Sequence, residues 1–233
     1  MKKFLKRILR HPGFAETAAI RQVIDEYRRT GYPHCSVEQG DLLYQLAART
    51  PAGNALEVGC ASGSTALHLL AGMPQGRLTS IDFAHEDHDR TGEKVIAVAD
   101  MAARHQLIER NSVEVLPELY RSGEQYDVIF LDGWKTIDHL WVDTFYCAKM
   151  LRVDGAIVFD DARMASVRKA VELLKSHYQF EEIDIYRALG GHRLRAWHLL
   201  TTHSFHPPTR ALRKVMAIEQ THAGREYNFD PGW

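Results

Sequence analysis

Residues 55–63 read Ala55-Leu56-Glu57-Val58-Gly59-Cys60-Ala61-Ser62-Gly63, and the run Ser64-Thr65-Ala66-Leu67-His68-Leu69-Leu70 follows directly. A short apolar strand ending in an acid, then a glycine turn, then a helix, is the order a nucleotide-like ligand requires. Gly59 permits a tight turn, and Gly63 lets the backbone and a helix N-terminus come close to the ligand. The spacing is G-x-x-x-G rather than the G-x-G-x-x-G that binds a dinucleotide pyrophosphate, so a dehydrogenase reading fails. Glu57, just ahead of the first glycine, suits a ligand carrying an amino group and a positive charge rather than a phosphate.

Outward from this turn the chain alternates. Upstream, residues 15–29 show helical periodicity, and Ser36 opens a second helix in which Gln39 completes a capping box. Downstream, residues 76–82 read as a strand ending in Asp82, 93–107 as a helix, and 112–116 as a short alternating strand. The continuous apolar run 126–131 marks a central parallel strand covered on both faces. Residues 137–151 read as a helix, 155–159 as a buried strand, and 167–175 as a helix. Two further strands, 180–185 and 194–200, are joined by a short connection that favours an antiparallel pair, and 209–219 reads as a last helix. The pattern predicts a doubly wound, Rossmann-like α/β sheet of seven strands, one of them antiparallel, with extra N-terminal helices. The expected organisation is an N-terminal helical cap over 1–50, a core over 51–202 and a C-terminal extension over 203–233.

Composition narrows the function. The 233 residues are 45% hydrophobic and 25% charged, with a formal net charge of -1, whereas a nucleic-acid binder would be expected to be strongly basic. Cys35, Cys60 and Cys147 show no metal-binding or redox spacing, which fits buried thiols in a cytoplasmic protein. No apolar run is long enough to span a bilayer, and residues 1–10 carry charges throughout instead of the apolar region of a signal peptide. That basic decapeptide can form an amphipathic helix with Phe4, Leu5, Ile8 and Leu9 on one face. Packing on its own domain is the favoured reading, and contact with an anionic surface or a partner is the alternative.

Ligands of open parallel sheets bind outside the carboxyl ends of the strands. Here those ends carry Glu57, Asp82, Asp132 and the pair Asp160-Asp161. Helix capping explains any one of them alone; together on one rim they point to a site. Asp82 fits the acid that accepts both ribose hydroxyls, and Phe83 offers an apolar face to a base.

Glu57-x-Gly59-x-x-x-Gly63 resembles motif I of the class I S-adenosylmethionine-dependent methyltransferases. Phe130-Leu131-Asp132-Gly133-Trp134-Lys135, followed by Val158-Phe159-Asp160-Asp161-Ala162, resembles the metal-dependent catechol and caffeoyl-CoA O-methyltransferases. The resemblance implies S-adenosylmethionine as cofactor, a divalent cation (Mg or Ca) on Asp132, Asp160 and Asp161, and Lys135 as the catalytic lysine. It places Phe83 and Trp134 on either side of adenine and Ser112 at its edge, with Glu57, Gly59, Ser62, Gly63, Asp82 and Asp132 also at the cofactor. A small hydroxylated substrate and a homodimer are implied as well. Hard carboxylate oxygens suit Mg²⁺ or Ca²⁺ rather than zinc, and a lysine beside a metal can lose its proton more easily and serve as base. Asp161 stands where these families commonly have asparagine. A metal-independent methyltransferase of the same fold, acting on a sugar, amine or natural-product hydroxyl, is therefore the alternative. His139, one turn beyond Lys135, is a substitute base in that case and otherwise a core-edge histidine. A binding module without turnover is a third reading, disfavoured by Lys135 and the intact rim acids.

Overall fold

The structure is a computed structural model and describes residues 29, 35–84, 86, 89–189 and 208–217. Its strands are β1 (Asn54–Val58), β2 (Arg77–Ile81), β3 (His105–Ile108), β4 (Tyr126–Leu131), β5 (Leu151–Phe159), β6 (Phe180–Ile183) and β7 (Arg210–Lys214). The helices are α1 (Val37–Ala47), α2 (Ser64–Gly72), α3 (Thr91–Val98), α4 (Ser112–Arg121), α5 (Ile137–Met150), α6 (Ala165–His177) and α7 (Ile185–Leu189). The sheet runs β3-β2-β1-β4-β5-β7-β6, parallel except for β7, which is antiparallel to both its neighbours. The seven-stranded α/β sheet with one reversed strand is as the sequence predicts.

The central strand β4 shows why. Val128 and Phe130 pack on one face with Leu42, Leu43, Leu67 and Leu70 from α1 and α2. Ile129 and Leu131 pack on the other with Leu140 and Cys147 of α5 and Val167 and Val171 of α6. Both faces are dry, so the strand reads as an unbroken apolar run. Each such side chain contributes about 1.5–3 kcal/mol of burial. The strand order reverses between β1 and β4, whose Val58 and Leu131 lie side by side in register. This is the switch point at which a ligand crevice opens in such sheets.

Four expectations are corrected. The helix read over 93–107 ends at Val98; Asp100 takes a left-handed φ of 57°, a 3-10 turn covers Ala102–Arg104, and β3 follows. The strand read over 112–116 is the first turn of α4, because Asn111 caps it by accepting from Val113 N. The helix read over 209–219 is instead β7, drawn from the segment assigned to the C-terminal extension. Ser36 does cap α1, accepting from Gln39 N at 3.1 Å, but the Gln39 side chain donates to Thr209 rather than closing a capping box. The expected N-terminal helices over 1–10 and, but for Arg29, 15–29, and the strand 194–200, lie outside the described residues.

Acids of β6 hold β7 in place: Arg210 pairs with Glu182 and Arg213 with Glu181. Buried Lys214 donates to Ala148 O and Leu151 O, satisfying carbonyls at the end of α5. Cys60 and Cys147 are buried and Cys35 half-buried, all as free thiols.

Candidate active site at the β1–β4 switch point

The glycine turn is held from below. Glu57 is fully buried, and its carboxylate accepts from Thr65 Oγ1 of α2 and, at 2.7 Å, from Ser80 Oγ of β2. Burial pushes this carboxyl up to about 7 against the pull of those two hydroxyls, and the charge of Asp132 adds to the rise. Asp82 clasps the turn from the side, its Oδ2 accepting from Cys60 N at 2.9 Å and Ala61 N at 2.7 Å and its Oδ1 from Ala84 N at 2.9 Å. Gly59 has a φ of 92°, and a Cβ there would sit 2.5 Å from the Asp132 carbonyl oxygen. The turn and the end of β4 thus touch through backbone alone, sealed by Asp132 N donating to Val58 O at 2.8 Å. At Gly63, too, the backbone comes close to a neighbour: a Cβ there would sit 2.8 Å from Gly92 Cα.

Above this junction lies a cavity of about 260 Å³. Ile81, Asp82 and Phe83 line it from the end of β2, Asn111 and Ser112 from the start of α4, and Asp132, Gly133 and Trp134 from the end of β4. Phe83 and Trp134, each 54% exposed, stack on one another with centroids 5.2 Å apart and planes 1° from parallel. A third ring between them needs planes about 7 Å apart, twice an ordinary contact distance, so a base enters that gap only if the pair spreads.

Beside the cavity the ends of β4 and β5 bring Asp132, Asp160 and Asp161 together, with one oxygen of each within 4.8 Å of the others. Asp161 has a left-handed φ of 51°, which an aspartate tolerates better than most residues. Lys135 Nζ donates to Asp132 Oδ1 at 2.8 Å and Gly133 O at 2.9 Å and lies 3.7 Å from Asp161 Oδ2. Burial pushes the Asp132 carboxyl up to about 6, with Lys135 opposing and the other two acids adding to the rise. Asp160 Oδ1 also accepts from Thr209 Oγ1 at 3.4 Å, and Thr209 in turn accepts from Gln39 Nε2 at 3.2 Å. Three hard carboxylates converging on one point are a donor set that fits Mg²⁺ or Ca²⁺.

A family profile described as "Methyltransferase domain" matches residues 56–162. Over an aligned 151 residues the chain is 32% identical to a "Putative O-methyltransferase" from Mycolicibacterium smegmatis, covering 58% of this chain and 70% of that one. This chain belongs to the O-methyltransferase family. A Mycobacterium sp. (strain JLS) family member of the same description is 34% identical over 151 residues, and the match spans 66% of its length, just under two thirds. A Catechol O-methyltransferase from Niastella koreensis is 27% identical over 150 residues, covering 63% of this chain and 66% of that one. Among solved structures, an O-methyltransferase from Bacillus cereus in complex with SAH superposes with a TM-score of 0.64 at 19% identity, covering 78% of this chain and 88% of that one. That likeness speaks for the fold.

For an O-methyltransferase family member, the residues singled out in the sequence fall into three groups. Gly59, Asp82, Phe83, Ser112, Asp132 and Trp134 line the cavity, and Lys135, Asp160 and Asp161 gather beside it. Glu57, Ser62 and Gly63 shape the turn without lining the cavity. His139 does line it, 5.5 Å from the Trp134 ring. Sequence reasoning missed Ile81, Asn111 and Asp143. Asp143 had a signal: it is an acid in the buried stripe of α5 formed by Leu140, Thr144 and Cys147.

Proposed function

We propose that this protein is an S-adenosylmethionine-dependent O-methyltransferase acting on a small hydroxylated molecule, assisted by a divalent cation. The observation that carries the reading is the convergence of Asp132, Asp160, Asp161 and Lys135 beside the switch-point cavity. In this reading Asp82 accepts the ribose hydroxyls, Ser112 meets the adenine edge, and Phe83 and Trp134 spread to take the base. Glu57, Ser62 and Gly63 hold the turn in shape. The cofactor supplies an already activated methyl group, so what remains for the protein is to align oxygen, methyl carbon and sulfur. A divalent cation on the three aspartates supplies positive charge that favours the deprotonated hydroxyl. Lys135 takes the hydroxyl proton.

One observation favours a metal-independent second reading: Lys135 already places a cation among the three acids. A methyl-transfer assay with catechol as trial acceptor separates the two. The metal-assisted reading predicts that EDTA abolishes turnover, that Mg²⁺ restores it, and that Lys135→Met lowers kcat about a hundredfold or more. Full activity in EDTA selects the metal-independent mechanism, and an unimpaired Lys135→Met removes Lys135 as the base and makes His139 the residue to test.

The same reading carries a cytoplasmic location, no nucleic-acid partner and self-association as a homodimer. No described helix is long and apolar enough to cross a membrane. A light-scattering mass of one chain at micromolar concentration contradicts the dimer.

A further inference from the structure

Gln39 of α1 and Thr209, the residue before β7, form a buried chain that ends on Asp160. The antiparallel pair Phe159–Arg210 sets Thr209 beside Asp160, and Ala162 N donates to Pro208 O at 2.7 Å, pinning the same crossing one step further on. Gln39 Nε2 donates to Thr209 Oγ1 at 3.2 Å, and Thr209 Oγ1 donates to Asp160 Oδ1 at 3.4 Å. Gln39 is 8% and Thr209 5% exposed, so water competes little for either side chain. The glutamine whose spacing suggests a capping box is thus turned away from its own helix end and toward the rim.

The direction of the chain is fixed by its members. An ionised carboxylate only accepts, an amide nitrogen only donates, and a hydroxyl does both with a single hydrogen. With the Gln39 amide on its oxygen, Thr209 has that hydrogen left for Asp160. A cross-link between α1 and β7 needs the Gln39–Thr209 bond alone and gives no reason for the chain to end on one oxygen of a rim acid. Lys135 meanwhile lies against Asp132 and Asp161, so the Thr209 hydroxyl serves the remaining acid of the cluster. We propose that Thr209 and Gln39 are positioning residues that hold Asp160 by Oδ1, so that it meets a divalent cation through its other oxygen and biases the site toward Mg²⁺ relative to Ca²⁺. This role rests on the metal-assisted reading of the three aspartates. Mg²⁺ demands a near-ideal octahedron of oxygens, whereas Ca²⁺ takes more ligands in a looser arrangement and accepts both oxygens of one carboxylate. A hydroxyl hydrogen on Oδ1 opposes that two-oxygen grip and leaves binding through the other oxygen undisturbed.

The test is Mn²⁺ binding to the full chain, followed by electron paramagnetic resonance, with Mg²⁺ or Ca²⁺ as the displacing ion. Thr209→Val keeps the shape and removes the hydrogen; its Mg²⁺ affinity should fall about tenfold or more, and its Ca²⁺ affinity much less. Thr209→Ser restores the hydroxyl and should restore the ratio of the two affinities. The double variant Gln39→Met/Thr209→Val replaces both buried partners by apolar groups, which costs little stability, and gives the answer if Thr209→Val does not fold. A merely structural role weakens both ions by the same factor and leaves the ratio unchanged. An unchanged ratio in either folded variant, or a ratio that Thr209→Ser fails to restore, overturns the inference while the metal site stands. A wild-type protein that binds none of the three ions overturns the metal-assisted reading and this inference with it.

Discussion

Glu57 is the residue on which the glycine turn rests, and it carries a cost that pH reveals. Its carboxyl is raised from 4.5 to about 7 by burial. The folded protein therefore holds that proton more tightly than the unfolded chain does between pH 4.5 and 7, and stability falls as pH rises through this window. The full loss, reached above pH 7, is on the order of 3 kcal/mol. Asp132 and Asp143, each raised by burial to about 6, add a slope of the same sign at lower pH, so the interval from 6 to 7 belongs mainly to Glu57. Urea unfolding across that interval should show falling stability in the wild type and a flatter profile in Glu57→Gln. A slope unchanged by the substitution contradicts the assignment. The sequence announced this acid at the end of a strand. It did not announce that the side chain turns inward to Thr65 and Ser80, because Thr65 is brought back by the fold of the glycine turn into α2 and Ser80 by the register of β1 with β2.

Among the elements, the junction of the β1 turn with β4 is where backbone packing fixes the site. Gly59→Ala would force a Cβ against the Asp132 carbonyl and place a side chain at a φ of 92°. The expected result is a loss of more than about 1 kcal/mol of stability together with weakened S-adenosylhomocysteine binding, since Asp132 must move. Gly123→Ala is the control: it has a φ of 81° and nothing within 4 Å of a Cβ, so it should lose stability without losing ligand affinity. Equal effects of the two on binding contradict the role given to Gly59. Strands buried on both faces, such as β1 and β4, were legible because nothing but an apolar run fits there. β3 was not, since the helix before it ends at Val98 without a glycine or proline to announce the stop. β7 was hidden by its basic residues, whose partners Glu181 and Glu182 become neighbours only when β6 lies alongside. The first turn of α4 alternates in a way that mimics a strand, and only the Asn111 cap distinguishes it.

At the scale of the whole molecule, the sheet places two kinds of chemistry on one rim. The glycine turn, Asp82 and Ser112 surround a cavity at the switch point, and the acids at the ends of β4 and β5 stand beside it. The rim acids were readable because each follows a buried strand, and parallel strands put all their carboxyl ends on the same side. Ser112 and His139 were singled out in the sequence, but Asn111 was not readable as cavity wall, because α4 and α5 come together only through packing of elements distant along the chain. The central claim is that this cavity binds the adenosyl cofactor through Asp82, and calorimetric titration with S-adenosylhomocysteine tests it most directly. The account predicts one binding site in the wild-type protein and an affinity about tenfold to a hundredfold weaker in Asp82→Ala, from the loss of charge-assisted hydrogen bonds. Equal affinity in the two proteins, or no binding to the wild type, would contradict it.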